Sequence, residues 1–305
     1  MPEWKGQSRG QIWGYRIFVF TIKGLGLTFA YGLLRFVALY YYIFASEATR
    51  PIYNYFRHIW KQSPRQARKS VYKSYYTFGK ILIDKIAILS GKKEWFTYDF
   101  DGENHLHDMV KAGKGGIIIN AHIGNFEIAG QLLNRLNTRI NILMVDAEHQ
   151  QIKDYLESVM KDKPIGIIPI KEDLSHIIEI EKALRNNELI AMNGDRFVDE
   201  HSTKKLPFFG YNALFPTGPY MLAAHFQVPI TFAFAMKESK RHYHFYATPP
   251  LTVARVRPKQ AQEEEVKKTM RLYIQNLEEK LKAFPYQWFN FYDFWEDLEA
   301  PEKNN

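Results

Sequence analysis

The chain has 305 residues, with 41 basic and 33 acidic side chains, a net charge of +8 and no cysteine. The lack of cysteine excludes disulfides, thiolate metal sites and a cysteine nucleophile, and the length predicts one catalytic domain with an N-terminal appendage. The positive charge favours an acidic partner, such as an anionic lipid or an acidic carrier protein, over nucleic acid, because no recognisable nucleic-acid motif accompanies the charge.

The N-terminal segment, residues 1–60, is predicted to associate with a membrane. Residues from Ile17 to Ala45 are mostly apolar and aromatic, but Lys23 and Arg35 leave no uncharged run near the roughly 20 residues that span a bilayer. A helix at the membrane interface can extend both side chains into the headgroups, so we expect an interfacial helix. A helical hairpin buried against the catalytic domain is the alternative. Residues 61–300 are expected to form that domain, and residues 301–305 a tail.

A helix is predicted to begin at Ser63-Pro64, where an N-cap residue precedes a proline at the first helical position, and to end near Gly91. One stripe of this helix is basic and contains Arg65, Lys69, Lys73 and Lys80. The stripe could contact lipid phosphates or an acidic carrier protein, or it could be an ordinary solvated face.

From residue 115 onward, strand-like and helix-like segments alternate. The strand-like runs are Gly116–Ala121, Arg139–Val145, Gly166–Ile170, Leu189–Asn193 and Pro229–Met236. The helix-like segments are Asn125–Leu136, Gln150–Met160, Asp173–Arg185 and Gly218–Phe226, before a last amphipathic helix with Val266, Met270, Ile274, Leu277, Leu281 and Phe284 on one face. This alternation predicts an α/β domain with a mostly parallel sheet flanked by helices. Ligands of such sheets bind beyond the carboxyl ends of the strands, where His122 and Asp195 are placed.

The end of the first of these strands has the residues of a general base. His122 can accept a proton from a hydroxyl, and Glu127, five residues later, can turn back to orient the ring and stabilise its charged form. Gly124 lets the backbone pass close to a substrate, and Asn125 is a good N-cap for the next helix. In the alternative interpretation, His122 is a polar loop residue and Glu127 a first-turn carboxylate favoured by the helix dipole.

The loop from residue 193 to residue 210 contains further candidates. Asp195 and Arg196 could organise a bound substrate, and Lys204 and Lys205 could meet a phosphate group. Equally, Asp195 and Arg196 could pair with neighbouring residues to hold the loop. No metal site is predicted, since metal-ligand spacing is lacking among His149, His176, His201 and His225.

Four sequence blocks occur in the order of a known family. They are His122-Ile123-Gly124-Asn125-Phe126-Glu127, then Gly194-Asp195-Arg196 with Leu206-Pro207-Phe208-Phe209-Gly210, then Phe215-Pro216-Thr217-Gly218-Pro219, and last Pro285-Tyr286-Gln287-Trp288-Phe289. Their pattern resembles the lysophospholipid acyltransferase superfamily, with its His-x4-Asp/Glu motif, and within it the branch of late lipid A acyltransferases. The tail departs from that branch, because Asn290-Phe291-Tyr292-Asp293 replaces the usual His-(Arg/Lys)-Arg. The acceptor therefore stays open between a lipid A precursor and other lipids.

The resemblance implies a membrane-associated acyltransferase at the cytoplasmic face of the inner membrane. Its donor would be an acyl carrier protein thioester, or coenzyme A, and its acceptor a membrane lipid, with no cofactor beyond the thioester co-substrate. The catalytic residues would be His122 and Glu127, and the substrate contacts would be Gly124, Asn125, Asp195, Arg196, Lys204, Lys205, Thr217 and Gly218.

The tetrahedral oxyanion is expected to be held by backbone N–H groups near Gly124 and Asn125, or by Arg196. Two other functions fit the same residues. One is a thioester or ester hydrolase, in which the same base activates water, and the other is a non-catalytic module that binds lipid or a carrier protein.

Overall fold

The computed structural model of the chain describes residues 12–125, 136–145, 165–171, 173–197, 199–295 and 298. Its N-terminal part forms α1 (Ile12–Phe44), α2 (Ser46–Asn54), a π-helical segment (Tyr55–Ile59), α3 (Pro64–Leu89), a 3-10 turn (Lys93–Trp95), β1 (Thr97–Asp101) and α4 (Glu103–Lys111). The central part forms β2 (Gly116–Asn120), β3 (Ile140–Val145), β4 (Ile165–Ile170), α5 (His176–Arg185) and β5 (Leu189–Asn193). The C-terminal part forms a second 3-10 turn (Glu200–Ser202), β6 (Thr203–Phe208), β7 (Tyr211–Pro216), α6 (Gly218–Phe226), β8 (Ile230–Lys237), β9 (His242–Ala247) and α7 (Lys259–Ala283).

The central sheet has the strand order β1-β9-β8-β2-β5-β3-β4. Adjacent strands are parallel except for β8 and β9, which are antiparallel. The prediction of a mostly parallel sheet flanked by helices is confirmed, and each predicted strand lies within one residue of its expected bounds. The helices expected at Asn125–Leu136 and Gln150–Met160 fall almost entirely outside the described residues.

The central strand β2 is buried on both faces, as its continuous apolar run requires. Ile117 and Ile119 contribute to the core that contains residues of α5, α6 and α7, whereas Ile118 packs with Leu106 and Met109 of α4. Helices therefore cover both sides of the strand that ends before His122. The strands β1 and β9, at one end of the sheet, were not predicted, because their sequences alternate polar and aromatic residues and contain no apolar run.

Helix α3 begins as predicted with a complete capping box between Ser63 and Gln66. Helix α1 packs along it through residues at a spacing of three and four, namely Leu27, Tyr31, Leu34 and Ala38. The two helices approach closely at Gly79, where a Cβ atom would lie 2.3 Å from Leu34 Cδ1. The N-terminal helix is thus attached to the rest of the fold by one face.

The opposite face of α1 is exposed and apolar. Its members, each 45–73 % exposed, are Leu25, Phe29, Phe36, Leu39, Tyr40, Ile43 and Phe44. Within the described residues, one helical stretch, Gly24–Phe44, has the length and mean hydropathy, 1.4, of a segment that could cross a membrane. Non-helical backbone at Gly26, with φ +80°, interrupts the helix near the start of this stretch.

Strands β6 and β7 form a hairpin outside the main sheet, with Phe209 and Gly210 at positive φ in its turn. Phe208 is fully buried and packs against Trp288, Phe294 and Trp295 of the C-terminal tail. The hairpin and the tail therefore form one aromatic layer beside the carboxyl ends of the central strands.

Candidate active site

Two neighbouring strands bring His122 and Asp195 together. Strands β2 and β5 are paired in parallel, with Asn120 opposite Asn193, and the two side chains follow two residues later on each strand. Between them the Gly194 N–H donates to the Asn120 carbonyl at 2.8 Å. A Cβ atom on Gly194 would lie 2.6 Å from Ile119 Cγ2, so the close approach of the strands requires glycine. The strand register thus sets the distance between histidine and carboxylate.

The His122 ring is held by the Asp195 carboxylate. Nδ1 of His122 lies 2.8 Å from Oδ1 of Asp195, and the backbone N–H of His122 donates to Oδ2 at 2.9 Å. Trp288 Nε1–H donates to the same Oδ2 at 3.2 Å. The Asp195 side chain is fully buried, whereas that of His122 is 17 % exposed. This is the geometry of a base whose orienting group is shielded from solvent.

The charge of Asp195 fixes the tautomer of His122. Burial acts to raise the pKa of Asp195, but the interactions with His122 and Arg196 outweigh it and hold this pKa below its ordinary value. An ionised carboxylate can only accept, so Nδ1 carries the proton that it shares with Asp195. Asn193 Nδ2 lies 3.3 Å from His122 Nε2, a contact in which Nε2 is the acceptor. Nε2 is therefore the basic nitrogen of the ring.

The turn from His122 to Asn125, called the catalytic turn below, is fixed along its backbone. The C-terminal tail pairs with it, because Phe289 N–H donates to the His122 carbonyl at 2.8 Å and Gly124 N–H donates to the Gln287 carbonyl at 2.9 Å. Asn125 N–H donates to the Ala235 carbonyl of β8 at 2.7 Å. Gly124 has φ +55°, and a Cβ atom there would lie 2.0 Å from the Ala235 oxygen.

These hydrogen bonds bear on the predicted oxyanion site. One prediction places it at backbone N–H groups near Gly124 and Asn125, and the N–H groups of these two residues themselves already donate to carbonyl groups inside the fold. The other candidate, Arg196, donates from its guanidinium to the Phe289 carbonyl at 2.9 Å. Burial lowers the pKa of this guanidinium, and Asp195 opposes the shift.

Of the other predicted site residues, some contact partners inside the fold and one is not described. Glu127, the expected orienter of His122, lies outside the described residues. Asn125 is buried and directs its amide into the protein interior, towards Tyr243 and the Ile81 carbonyl. Lys204 forms an ion pair of 2.8 Å with Glu263 of α7, and its expected contact with a phosphate remains a prediction.

Lys205 is exposed on β6. Thr217 donates from its hydroxyl to the Ser202 carbonyl at 2.9 Å and so fastens the start of α6, which begins at Gly218. The substrate contacts expected of Lys205, Thr217 and Gly218 remain predictions.

Sequence reasoning assigned no role at the base to Asn193 or Trp288. Asn193 ends a strand next to β2, a position that places any polar side chain at the same sheet edge as His122. Trp288 belongs to the tail block, but its indole contact with Asp195 depends on a chain reversal after α7 that no local pattern encodes.

A model of the family described as bacterial lipid A biosynthesis acyltransferase matches residues 2–296. A phosphatidylinositol mannoside acyltransferase of Mycobacterium tuberculosis is 28% identical over 127 residues, which are 40% of this chain and 39% of that protein. The chain therefore aligns with well under two thirds of that relative's length. The crystal structure of the 1-acyl-sn-glycerophosphate (LPA) acyltransferase PlsC from Thermotoga maritima matches with a TM-score of 0.39 and 14% identity, over 82% of this chain and 97% of that one.

Proposed function

Because this chain belongs to the bacterial lipid A biosynthesis acyltransferase family, and is therefore an acyltransferase, we propose that it moves a fatty acyl group from a thioester to a hydroxyl or amine of a lipid acceptor. The observation that supports this chemistry is the partly exposed His122 ring held at Nδ1 by the buried Asp195 carboxylate. His122 is the general base of the proposal and Asp195 is its orienter. The sequence-based assignment of Glu127 as the orienter of His122 stays a prediction, because Glu127 lies outside the described residues.

The proposed reaction is a direct transfer. Nε2 of His122 takes the proton of the acceptor O–H or N–H while the acceptor atom bonds to the thioester carbonyl carbon. The C–S bond of the tetrahedral intermediate then breaks, and the departing thiolate takes from Nε2 the proton that came from the acceptor. Asp195 stabilises the imidazolium between these two steps. The products are the acylated lipid and the free thiol, with no acyl-enzyme.

The proposed donor is an acyl carrier protein, with acyl coenzyme A as the alternative. Carrier proteins of this kind present an acidic surface, and the exposed Arg65, Lys69 and Lys73 of α3 form a basic stripe of matching charge. Lys73 lies over the Tyr286 ring at 5.3 Å, two residues from the Trp288 that binds Asp195. The stripe is thus connected to the active-site tail, which supports its use as the donor's docking surface.

The proposed acceptor is a membrane lipid with a polar headgroup. The M. tuberculosis relative is named for an acceptor of that class. The exposed apolar face of α1 suits the interface of a bilayer, with its aromatic rings at headgroup level. Membership of the family supports the further proposal that the enzyme works at the cytoplasmic face of the inner membrane.

The test uses purified full-length protein, long-chain acyl carrier protein and a total lipid extract, with new lipids detected by mass spectrometry. Wild type should form an acylated lipid, and His122→Ala should form it at least roughly 10²-fold more slowly, as expected for loss of a general base. The matched control is His225→Ala, which removes an exposed histidine from the end of α6.

Each other outcome has a definite meaning. Free fatty acid without acylated lipid would assign hydrolysis, and intact thioester that remains bound would assign a binding module. Wild-type turnover by a folded His122→Ala protein would refute the mechanism.

A further inference from the structure

A cluster of buried charged and phenolic groups lies beneath the catalytic turn and has no part in the proposed chemistry. Its centre is Asp84 of α3, whose side chain is fully buried. Lys237 of β8 forms an ion pair with Asp84 Oδ2 at 2.5 Å, Tyr243 of β9 donates to the same oxygen, and Tyr31 of α1 donates to Oδ1. These four residues are called the Asp84 cluster.

The Asp84 cluster is costly to bury. Burial raises the pKa of Asp84 even though Lys237 and the two phenols act against the shift, and burial lowers the pKa of Lys237 even though Asp84 opposes that shift. A buried ion pair of this kind commonly adds no stability over apolar residues of similar volume. The cluster is therefore better explained by the geometry it imposes than by the stability it contributes.

The geometry leads directly to the catalytic turn. Asn125 Nδ2 donates to the Tyr243 hydroxyl at 3.3 Å, and that hydroxyl donates its own proton to Asp84. Each direction is fixed, because the carboxylate can only accept and the amide nitrogen can only donate. The result is a chain of hydrogen bonds from Asn125 through Tyr243 to Asp84, which sets the orientation of the Asn125 amide three residues from His122.

Lys237 reaches the same turn by a second route. Its backbone N–H donates to Gln287 Oε1 at 2.9 Å, and Gln287 Nε2 donates back to the Lys237 carbonyl at 2.7 Å. The Gln287 carbonyl in turn accepts from Gly124 N–H at 2.9 Å. The ion pair thus joins the two attachments of the catalytic turn, one through β9 and one through the C-terminal tail.

We propose that Asp84, Lys237 and Tyr243 are positioning residues for acyl transfer, which hold the catalytic turn through Asn125 so that His122 meets its acceptor in one geometry. The proposal rests on the proposed function. A misplaced base loses rate much more than substrate affinity, because only the transition state requires the alignment.

The first test is Tyr243→Phe, which removes one hydroxyl and keeps the ring. We expect kcat to fall roughly 10-fold, the factor that corresponds to one buried hydrogen bond, with KM for both substrates within about twofold of wild type. The matched control is Tyr98→Phe. The Tyr98 ring stacks on Tyr243 at 6.5 Å, but its hydroxyl has no hydrogen-bond partner among the described residues, so its kcat should equal that of wild type.

A double-mutant cycle separates positioning from a general loss of stability. If Tyr243 acts through Asn125, the kcat of Asn125→Ala and that of Asn125→Ala/Tyr243→Phe should be equal. If the fold-losses in kcat of the two single variants instead multiply in the double variant, the proposal is overturned. A wild-type kcat for Tyr243→Phe would also overturn it, while the proposed function would still stand on transfer by wild type and its loss in His122→Ala.

A second variant guards against failure to fold. Asp84→Leu/Lys237→Met replaces the ion pair with an apolar pair and leaves no unpaired buried charge. The Tyr31 and Tyr243 hydroxyls lose their acceptor, so we expect a folded protein with a Tm below that of wild type. We expect its kcat to fall by at least the factor seen in Tyr243→Phe. A folded double variant with wild-type kcat would refute the positioning role.

Discussion

Replacing Asp195 with asparagine should remove the base without removing the histidine. Oδ2 of Asp195 accepts two hydrogen bonds, from the His122 backbone N–H and from Trp288 Nε1, whereas Oδ1 accepts one, from His122 Nδ1. An asparagine oxygen therefore belongs at the Oδ2 position, where it keeps two donors. The asparagine NH2 group then faces His122 Nδ1, which must become an acceptor. The ring proton moves to Nε2, and Nε2 can no longer take a proton from the acceptor lipid.

The expected loss is large because the whole contribution of the base disappears. The same exchange of tautomer in a serine-protease triad lowers kcat about 10⁴-fold, which corresponds to about 5.5 kcal/mol, and we expect Asp195→Asn to fall by a similar factor. The assay measures single-turnover formation of acylated lipid, and circular dichroism and Tm establish that the variant is folded. Trp288→Phe is the companion variant, since it removes one donor to Oδ2 and keeps the carboxylate. Folded Asp195→Asn protein that retained turnover within about tenfold of wild type would refute the assignment of Asp195.

Three further predictions concern the turn, the N-terminal helix and pH. Gly124→Ala places a Cβ atom 2.0 Å from the Ala235 oxygen, at a residue with φ +55°. We therefore expect the free energy of unfolding to fall by about 1–3 kcal/mol. An unchanged Tm would contradict this close contact. Phe36→Glu/Phe44→Glu should weaken binding to anionic lipid vesicles roughly 10-fold or more, because Phe36 and Phe44 are 73 % and 68 % exposed. The Tm should not change. If wild type and variant sediment equally with the vesicles, α1 has no membrane role. Asp195 has a lowered pKa in the folded chain, so its stabilisation is complete above the unfolded-state value of about 4 and is lost as pH falls through the folded value. The Tm difference between wild type and Asp195→Asn should therefore shrink between about pH 5 and pH 2, and a constant difference would show that Asp195 is not the titrating group.

The central strands could be predicted because burial on both faces requires continuous apolar runs. β2 and β5 were located on that basis, and the placement of His122 and Asp195 at the same edge of the sheet followed from it. The pairing itself could not be predicted. It depends on the register of Asn120 with Asn193, which is set by packing between residues 73 positions apart.

Local reasoning also favours partners that are near in sequence. Glu127 was the natural candidate to orient His122 because five residues separate them, whereas Asp195 reaches Nδ1 across two strands. The candidate oxyanion donors were likewise sought close to His122 in the sequence. The N–H groups of Gly124 and Asn125 donate to the carbonyl groups of Gln287 and Ala235. No sequence pattern around residue 124 indicates that the C-terminal tail returns to this turn.

The residues after the tail tryptophan depart from the family pattern and have structural contacts of their own. The chain has Asn290-Phe291-Tyr292-Asp293 where the resembling family has basic residues, and the structure shows what these residues do instead. Phe291 stacks on Tyr75 of α3 with ring centroids 6.0 Å apart, and the Tyr292 hydroxyl donates to the Asp195 carbonyl at 3.1 Å. Two positions of this stretch thus pack against α3 or hold the backbone of Asp195, so they serve the local fold around the residue that orients His122.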